Sequence, residues 1–172
     1  MNKALQGFYE VATGARAVFV RVHGLASMNN CLAVRDFIEE MLRANHSFIV
    51  VDLSECTGMD STFMGVLAGA ATCETPGRSA GVAIVNAGEQ VLRLLRSVGL
   101  TELIFVEPGP FEAPKLDFVR LEDTPGEEER LALVRSAHER LIKISEKNEK
   151  KFGPFLEALE EEMRHKGMLG PA

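Results

Sequence analysis

The chain reads as an α/β protein: a mixed, mostly parallel four- to five-stranded sheet with packed helices, followed by C-terminal helices. Three observations predict this. Two short apolar runs, Phe48 to Leu53 and Ala80 to Asn86, are rich in β-branched residues, as strands covered on both faces of a parallel sheet are. Between and after such runs, apolar residues recur at helical spacing, so strands alternate with helices. Beyond a stretch holding three prolines, Pro108 to Pro114, only helical spacing remains.

The elements follow in order. Gly7 to Ala12 and Ala17 to Val22 flank Thr13, Gly14, Ala15 and Arg16, which is the pattern of two strands joined by a turn. A loop from His23 to Asn30 ends in candidate helix caps. From Cys31, the residues Leu32, Val34, Phe37, Ile38, Met41 and Leu42 mark a helix with a charged outer face. The run Phe48 to Leu53 is the central strand, with Ser54, Thr57 and Gly58 marking a turn. Asp60, Ser61 and Thr62 then open a helix of small apolar residues that ends before Thr75, Pro76 and Gly77. After the strand Ala80 to Asn86, Val91, Leu92, Leu94, Leu95 and Val98 give a helix stopped by Gly99, and Leu103 to Val106 is a last short strand. The sheet is expected to end there.

This divides the chain into an α/β domain over residues 1–110, a Pro-rich linker over 111–125 and a helical extension over 126–172. In the extension, Glu127, Glu128 and Glu129 begin a helix that runs to about Lys147, Gly153 and Pro154 make a corner, and Phe155, Leu156, Leu159 and Met163 stripe a second helix. Such a pair must bury an apolar face, on the open face of the sheet, on itself, or on a second chain. It holds nine Lys or Arg against ten Asp or Glu, so charge does not select its partner.

Composition narrows the function. The net charge is -6 and no window gathers Lys and Arg without acid, so nucleic acid is not an expected partner. Neither a leader nor a bilayer-spanning apolar run is written, so a cytoplasmic protein with no membrane partner is expected. Cys31, Cys56 and Cys73 are expected to be reduced thiols, and His23, His46, His138 and His165 lack metal-ligand spacing. Neither a metal nor another cofactor is expected.

The strand ending Val51-Asp52-Leu53-Ser54 and the helix start Met59-Asp60-Ser61-Thr62, followed by Gly65, Val66 and Leu67, resemble the STAS domains, and most closely the bacterial anti-sigma factor antagonists. The resemblance covers about residues 7–106. It implies a non-enzymatic regulatory switch that works by partner switching in transcriptional signalling. Its serine, here Ser61, is phosphorylated by a serine kinase of the anti-sigma type and restored by a phosphatase. The partner-binding surface it implies comprises Ser27, Asn29, Met59, Asp60, Thr62, Phe63 and Met64. Two positions depart from the family pattern: Phe63 stands where a glycine is usual, and Ser27 where the loop usually carries an acid.

The helix-cap chemistry predicts that Ser61→Ala leaves the melting temperature nearly unchanged, because backbone N–H groups serve this end of the helix whatever Ser61 does. Phe63 is either a core residue or, beside Met59 and Met64, part of an adaptable apolar patch. Two rival functions remain. One is an oligomeric scaffold, with a homodimer formed through residues 126–172. The other is a serine hydrolase using Ser61, which lacks glycine flanks and a marked histidine–acid pair downstream.

Overall fold

The computed structural model describes residues 7–75 and 78–170, with the side chains of residues 74–79 excepted. The expected hairpin is formed by β1 (Phe8–Thr13) and β2 (Val18–Ala26), paired antiparallel. Helix α1 (Leu32–Arg43) returns the chain to β3 (Phe48–Met59), which lies parallel to β2 and leads into α2 (Ser61–Ala71). A two-residue ladder, β4 (Glu74–Thr75) with β5 (Arg78–Ser79), precedes β6 (Gly81–Val85), α3 (Glu89–Ser97), a 3-10 turn at Leu100–Glu102 and β7 (Phe105–Val106). Then come β8 (Val119–Leu121), α4 (Glu127–Ile142) and α5 (Glu146–His165).

The main sheet has six strands in the order β7-β6-β3-β2-β1-β8, parallel from β7 to β2 and antiparallel beyond. One strand more than expected comes from β8, inside the segment read as a linker. That segment is part of the domain. Phe111, Ala113, Leu116 and Phe118 pack on Phe19, Val50 and Val85, covering one sheet face, while Asn86 exchanges two hydrogen bonds of 2.9 Å with the Phe111 backbone. Prolines rule out helix there but not packing. Beyond β8, the Asp123 carboxylate accepts from the Ala33 N–H at 2.8 Å, supplying the α1 N-terminus with the cap that Asn29 and Asn30 do not give it.

The opposite face carries the main core. Val20, Val22, Ile49, Val51 and Leu53 point to it, and Val34, Ile38, Phe63, Leu67, Val91 and Leu95 cover them from the three helices. Val50 and Val51 face opposite ways and are both buried, as a central strand requires. Strand β3 outruns the expected end at Leu53, reaching Met59. It does so through two register shifts against β2, between Arg21 and His23 and between Gly24 and Leu25. Each adds one residue to β3 and bends it, a device common at the rims of sheets. The turn expected at Ser54 to Gly58 is therefore bulged strand.

The expected helix stop at Pro76 and Gly77 lies outside the described residues, and α2 ends at Ala71. In the tail, the break falls at Lys143 to Ser145 rather than at Gly153 and Pro154, and Pro154 sits exposed inside α5. Two local features place it there. Ser145 caps α5 by accepting from the Asn148 N–H at 3.2 Å, and Asn148, fully buried, donates to the carbonyls of Leu141 and Val98. Phe152, Leu156, Leu159 and Met163 then form one buried stripe that continues across Pro154. With the second sheet face already covered, the tail stacks elsewhere: α4 packs on α2, and α5 on α4.

Candidate functional site

The site lies where β3 ends and α2 begins, on the rim at the carboxyl ends of the parallel strands. Asp60 organises it. One carboxylate oxygen accepts from the Phe63 N–H at 3.0 Å and so caps α2; the other accepts from the Met28 N–H at 2.8 Å and so ties the β2–α1 loop to the helix start. The Asp60 N–H itself donates to the Ala26 carbonyl at 3.0 Å. From the other side, buried Asn30 holds the same loop. Its amide donates to the carbonyls of Gly7 and Leu25, and its oxygen accepts from Tyr9 Oη and the Ser27 N–H. Both loops of the rim are thus fixed by hydrogen bonds at their bases.

Ser61 is the first residue of α2 and is half-buried. Its neighbour comes from the tail: Ser61 Oγ lies 2.9 Å from His138 Nε2 on α4. The roles in this bond are set by the other ring nitrogen. His138 Nδ1 faces the Val134 carbonyl at 2.8 Å and must carry the proton, so Nε2 is the acceptor and the Ser61 hydroxyl donates to it. Burial pushes the His138 pKa down, against smaller upward pulls from the Val134 carbonyl and Asp60, which keeps the ring neutral and able to accept. The ring is 3% exposed, packed edge-on to Phe152 and tilted against Phe155.

The sequence-expected residues separate into two groups. Asp60 and Ser61 are half-buried, Ser27 is half-buried and Asn29 exposed, and the Asp60–Met28 bond brings all four to one rim. Met59, Thr62, Phe63 and Met64 are buried and not available at that surface. Phe63 is the core residue, with no exposure and its ring 5.7 Å from that of Tyr9. The helix phase turns its side chain onto the sheet, so its size fills the core rather than altering the rim. Exposed apolar side chains do occur on the segments around the site, but they are Met28, whose backbone N–H donates to Asp60, and Phe155, whose ring lies against His138.

His138 was visible only as one of four scattered histidines, and nothing in its neighbourhood of sequence points to Ser61, 77 positions away. The contact does bring a histidine to the serine, as a hydrolase would. However, its second nitrogen is held by a backbone carbonyl instead of an acid. The groove of about 760 Å³ among the described residues lies between α1, α2 and α4, lined by Ile38, Leu42, Val66 and Arg140, and it does not reach Ser61.

A bulged central strand feeding a capped helix whose first residue is a serine, on a parallel sheet with an antiparallel edge, is the arrangement of a STAS-type domain; here it carries its own helical hairpin. The family model described as "Mlab, STAS domain" matches residues 10–107, and the chain belongs to the STAS domain family. No curated protein matches the chain. Among solved structures, it is similar to an anti-sigma factor antagonist from Mycobacterium paratuberculosis, with 20% identity, a TM-score of 0.54, and 63% of this chain and 92% of that one covered. It is also similar to the Bacillus cell fate determinant SpoIIAA in its phosphorylated form, with 16% identity, a TM-score of 0.48, and 58% and 90% covered. The first likeness shows a shared fold. The α4–α5 hairpin lies outside the family match.

Proposed function

We propose that this chain is a non-enzymatic, protein-binding regulatory switch of the anti-sigma factor antagonist type, set by reversible phosphorylation of Ser61. The observation that carries this reading is the placement of Ser61: it opens α2 directly after the capping Asp60, on a rim whose other wall, Ser27 to Asn29, is tied to the same aspartate. The partners are a serine kinase, a phosphatase and the downstream regulator they compete for. A phosphate at the first turn of a helix is electrostatically accepted, because the N–H groups and the dipole favour an anion there. It brings about -1.5 to -2 charges to a rim that already holds Asp60. Facing an acidic partner surface roughly 6 Å away, the added repulsion is on the order of 1 to 3 kcal/mol, about ten- to a hundredfold in affinity.

Two observations support this reading over its rivals. Ser61 lacks both an acid-backed histidine and an adjoining groove, which weighs against hydrolysis. The apolar stripes of the tail are engaged with α2 and with each other, which weighs against a scaffold assembled through residues 126–172. Among the described residues, no helix is long and apolar enough to cross a membrane, in keeping with a cytoplasmic role. The decisive experiment is intact mass and site mapping of the protein from its own host, before and after phosphatase. A phosphate at Ser61 is expected, and a full occupancy of zero under all growth conditions would remove the switch.

A further inference from the structure

The tail is packed against the one helix through which the rim would signal, and the bond that joins them involves Ser61. A Cβ built on Gly65 would lie 2.6 Å from the Ala137 Cβ and closer still to its carbonyl oxygen, so α2 and α4 approach backbone to backbone. One turn further, a Cβ on Gly69 would collide with the Arg140 side chain, whose guanidinium reaches Glu39 on α1 at 3.2 Å. One turn earlier, Ser61 donates to His138. The face Ser61–Gly65–Gly69, spaced at i, i+4 and i+8, is therefore shaped to receive a helix presenting a small residue at its centre.

We propose that the α4–α5 hairpin reads the state of Ser61: the unmodified hydroxyl latches it onto α2, and the phosphoserine releases it, baring this face for the helix of a partner protein. The biological meaning rests on the switch reading given above. Phosphoryl transfer from a nucleoside triphosphate replaces the hydroxyl hydrogen, the nucleoside diphosphate leaves and the proton passes to solvent. The product ester has no proton to donate. His138 Nε2 then loses its partner inside an apolar surround, and a dianion stands where the ring now sits. Elsewhere the seam is held by Leu133 and Leu141, buried in the main core, and by the Arg140–Glu39 pair, so the charge and bulk of the phosphate at Ser61 must outweigh these for the hairpin to lift. What replaces α4 must present a small residue against Gly65 and, where His138 stood, a group that donates to the phosphate.

Amide hydrogen exchange on the full chain tests the latch. In Ser61→Glu, the amides of α4 and α5 are expected to exchange about tenfold faster than in the wild type while those of β3 and β6 keep their rates. Unchanged or slower tail exchange, as a phosphate clamped by a protonated His138 would give, overturns the proposal. So does a rise shared with β3 and β6, which marks the tail as part of one cooperative unit. The docking face is tested with a fluorescent peptide of residues 126–168 as the probe. It should bind Ala137→Leu, which lifts the tail from its own side, and it should bind neither the wild type nor Ala137→Leu chains that also carry Gly65→Leu or Ser61→Glu. Peptide binding that ignores Gly65→Leu or Ser61→Glu, or is absent from Ala137→Leu, overturns it. Neither readout uses a kinase: an unphosphorylated Ser61 in the host would end the switch reading and leave the latch standing, and phosphorylation without tail release would do the reverse.

Discussion

At the residue scale, Asp60 and the Ser61–His138 pair carry the site. Asp60 accepts two backbone N–H groups from different segments, so Asp60→Ala removes a helix cap and a loop tie together. The expected cost is about 1 to 2 kcal/mol in urea denaturation, and a midpoint unchanged from wild type would show that neither bond stabilises the fold. For Ser61→Ala, helix capping by itself predicts almost no effect. The structure revises that expectation, because the substitution strands a buried acceptor on His138. A loss of about 1 kcal/mol is expected, together with a coupling of roughly 0.5 to 1.5 kcal/mol in a double-mutant cycle of Ser61→Ala with His138→Leu. Additive effects would mean that the bond contributes nothing. Two thiols, by contrast, are quiet: burial pushes the pKa of Cys31, which is fully buried, and that of Cys56 up, away from the thiolate.

At the element scale, α2 and α5 show what local pattern does and does not specify. Helix α2 is apolar almost all round, and the reason is that it is covered twice, by the sheet below and by α4 above. In α5, Gly153 and Pro154 read as a corner, yet the helix runs through them because the buried stripe from Phe152 to Met163 gains more than the missing N–H of Pro154 loses. That compromise leaves room for improvement. Outside its chain neighbours and its own helix backbone, a Cβ on Gly153 would meet nothing within 4 Å, so Gly153→Ala is expected to stabilise the chain by up to about 0.5 kcal/mol, less than at an ordinary helix site because Pro154 follows, seen as a raised melting temperature with unchanged tail protection. A lowered melting temperature would mean that the glycine relieves strain at the proline.

At the scale of the whole molecule, the domain and its tail are joined through a titratable group. His138 is held below the ordinary histidine range, chiefly by burial, so the unfolded or released ring binds protons more readily than the packed one. Its contribution is therefore complete above the ordinary pKa near 6.5 and is lost as pH falls from there through the depressed value. Tail protection is expected to weaken between pH 7.5 and pH 5.5, and His138→Gln, which keeps an acceptor but does not titrate, should flatten the dependence. A wild-type profile no steeper than that of His138→Gln would remove His138 as its source.

The sequence by itself determined the alternation of strands and helices, the buried centre of β3, and the strand–loop–helix start that places Asp60 and Ser61 on a rim. These follow from period, capping and β-branching, which are local properties written within a few residues of where they act. Only the tertiary structure decided that residues 111–118 cover a sheet face, that Phe63 points inward, and that α4 lies on α2 with His138 against Ser61. The physical reason is that an amphipathic pattern states that a face must be buried but not against what. That choice is made by shape and hydrogen bonding between distant segments, here by Gly65 against Ala137 and by one serine hydroxyl facing one imidazole nitrogen.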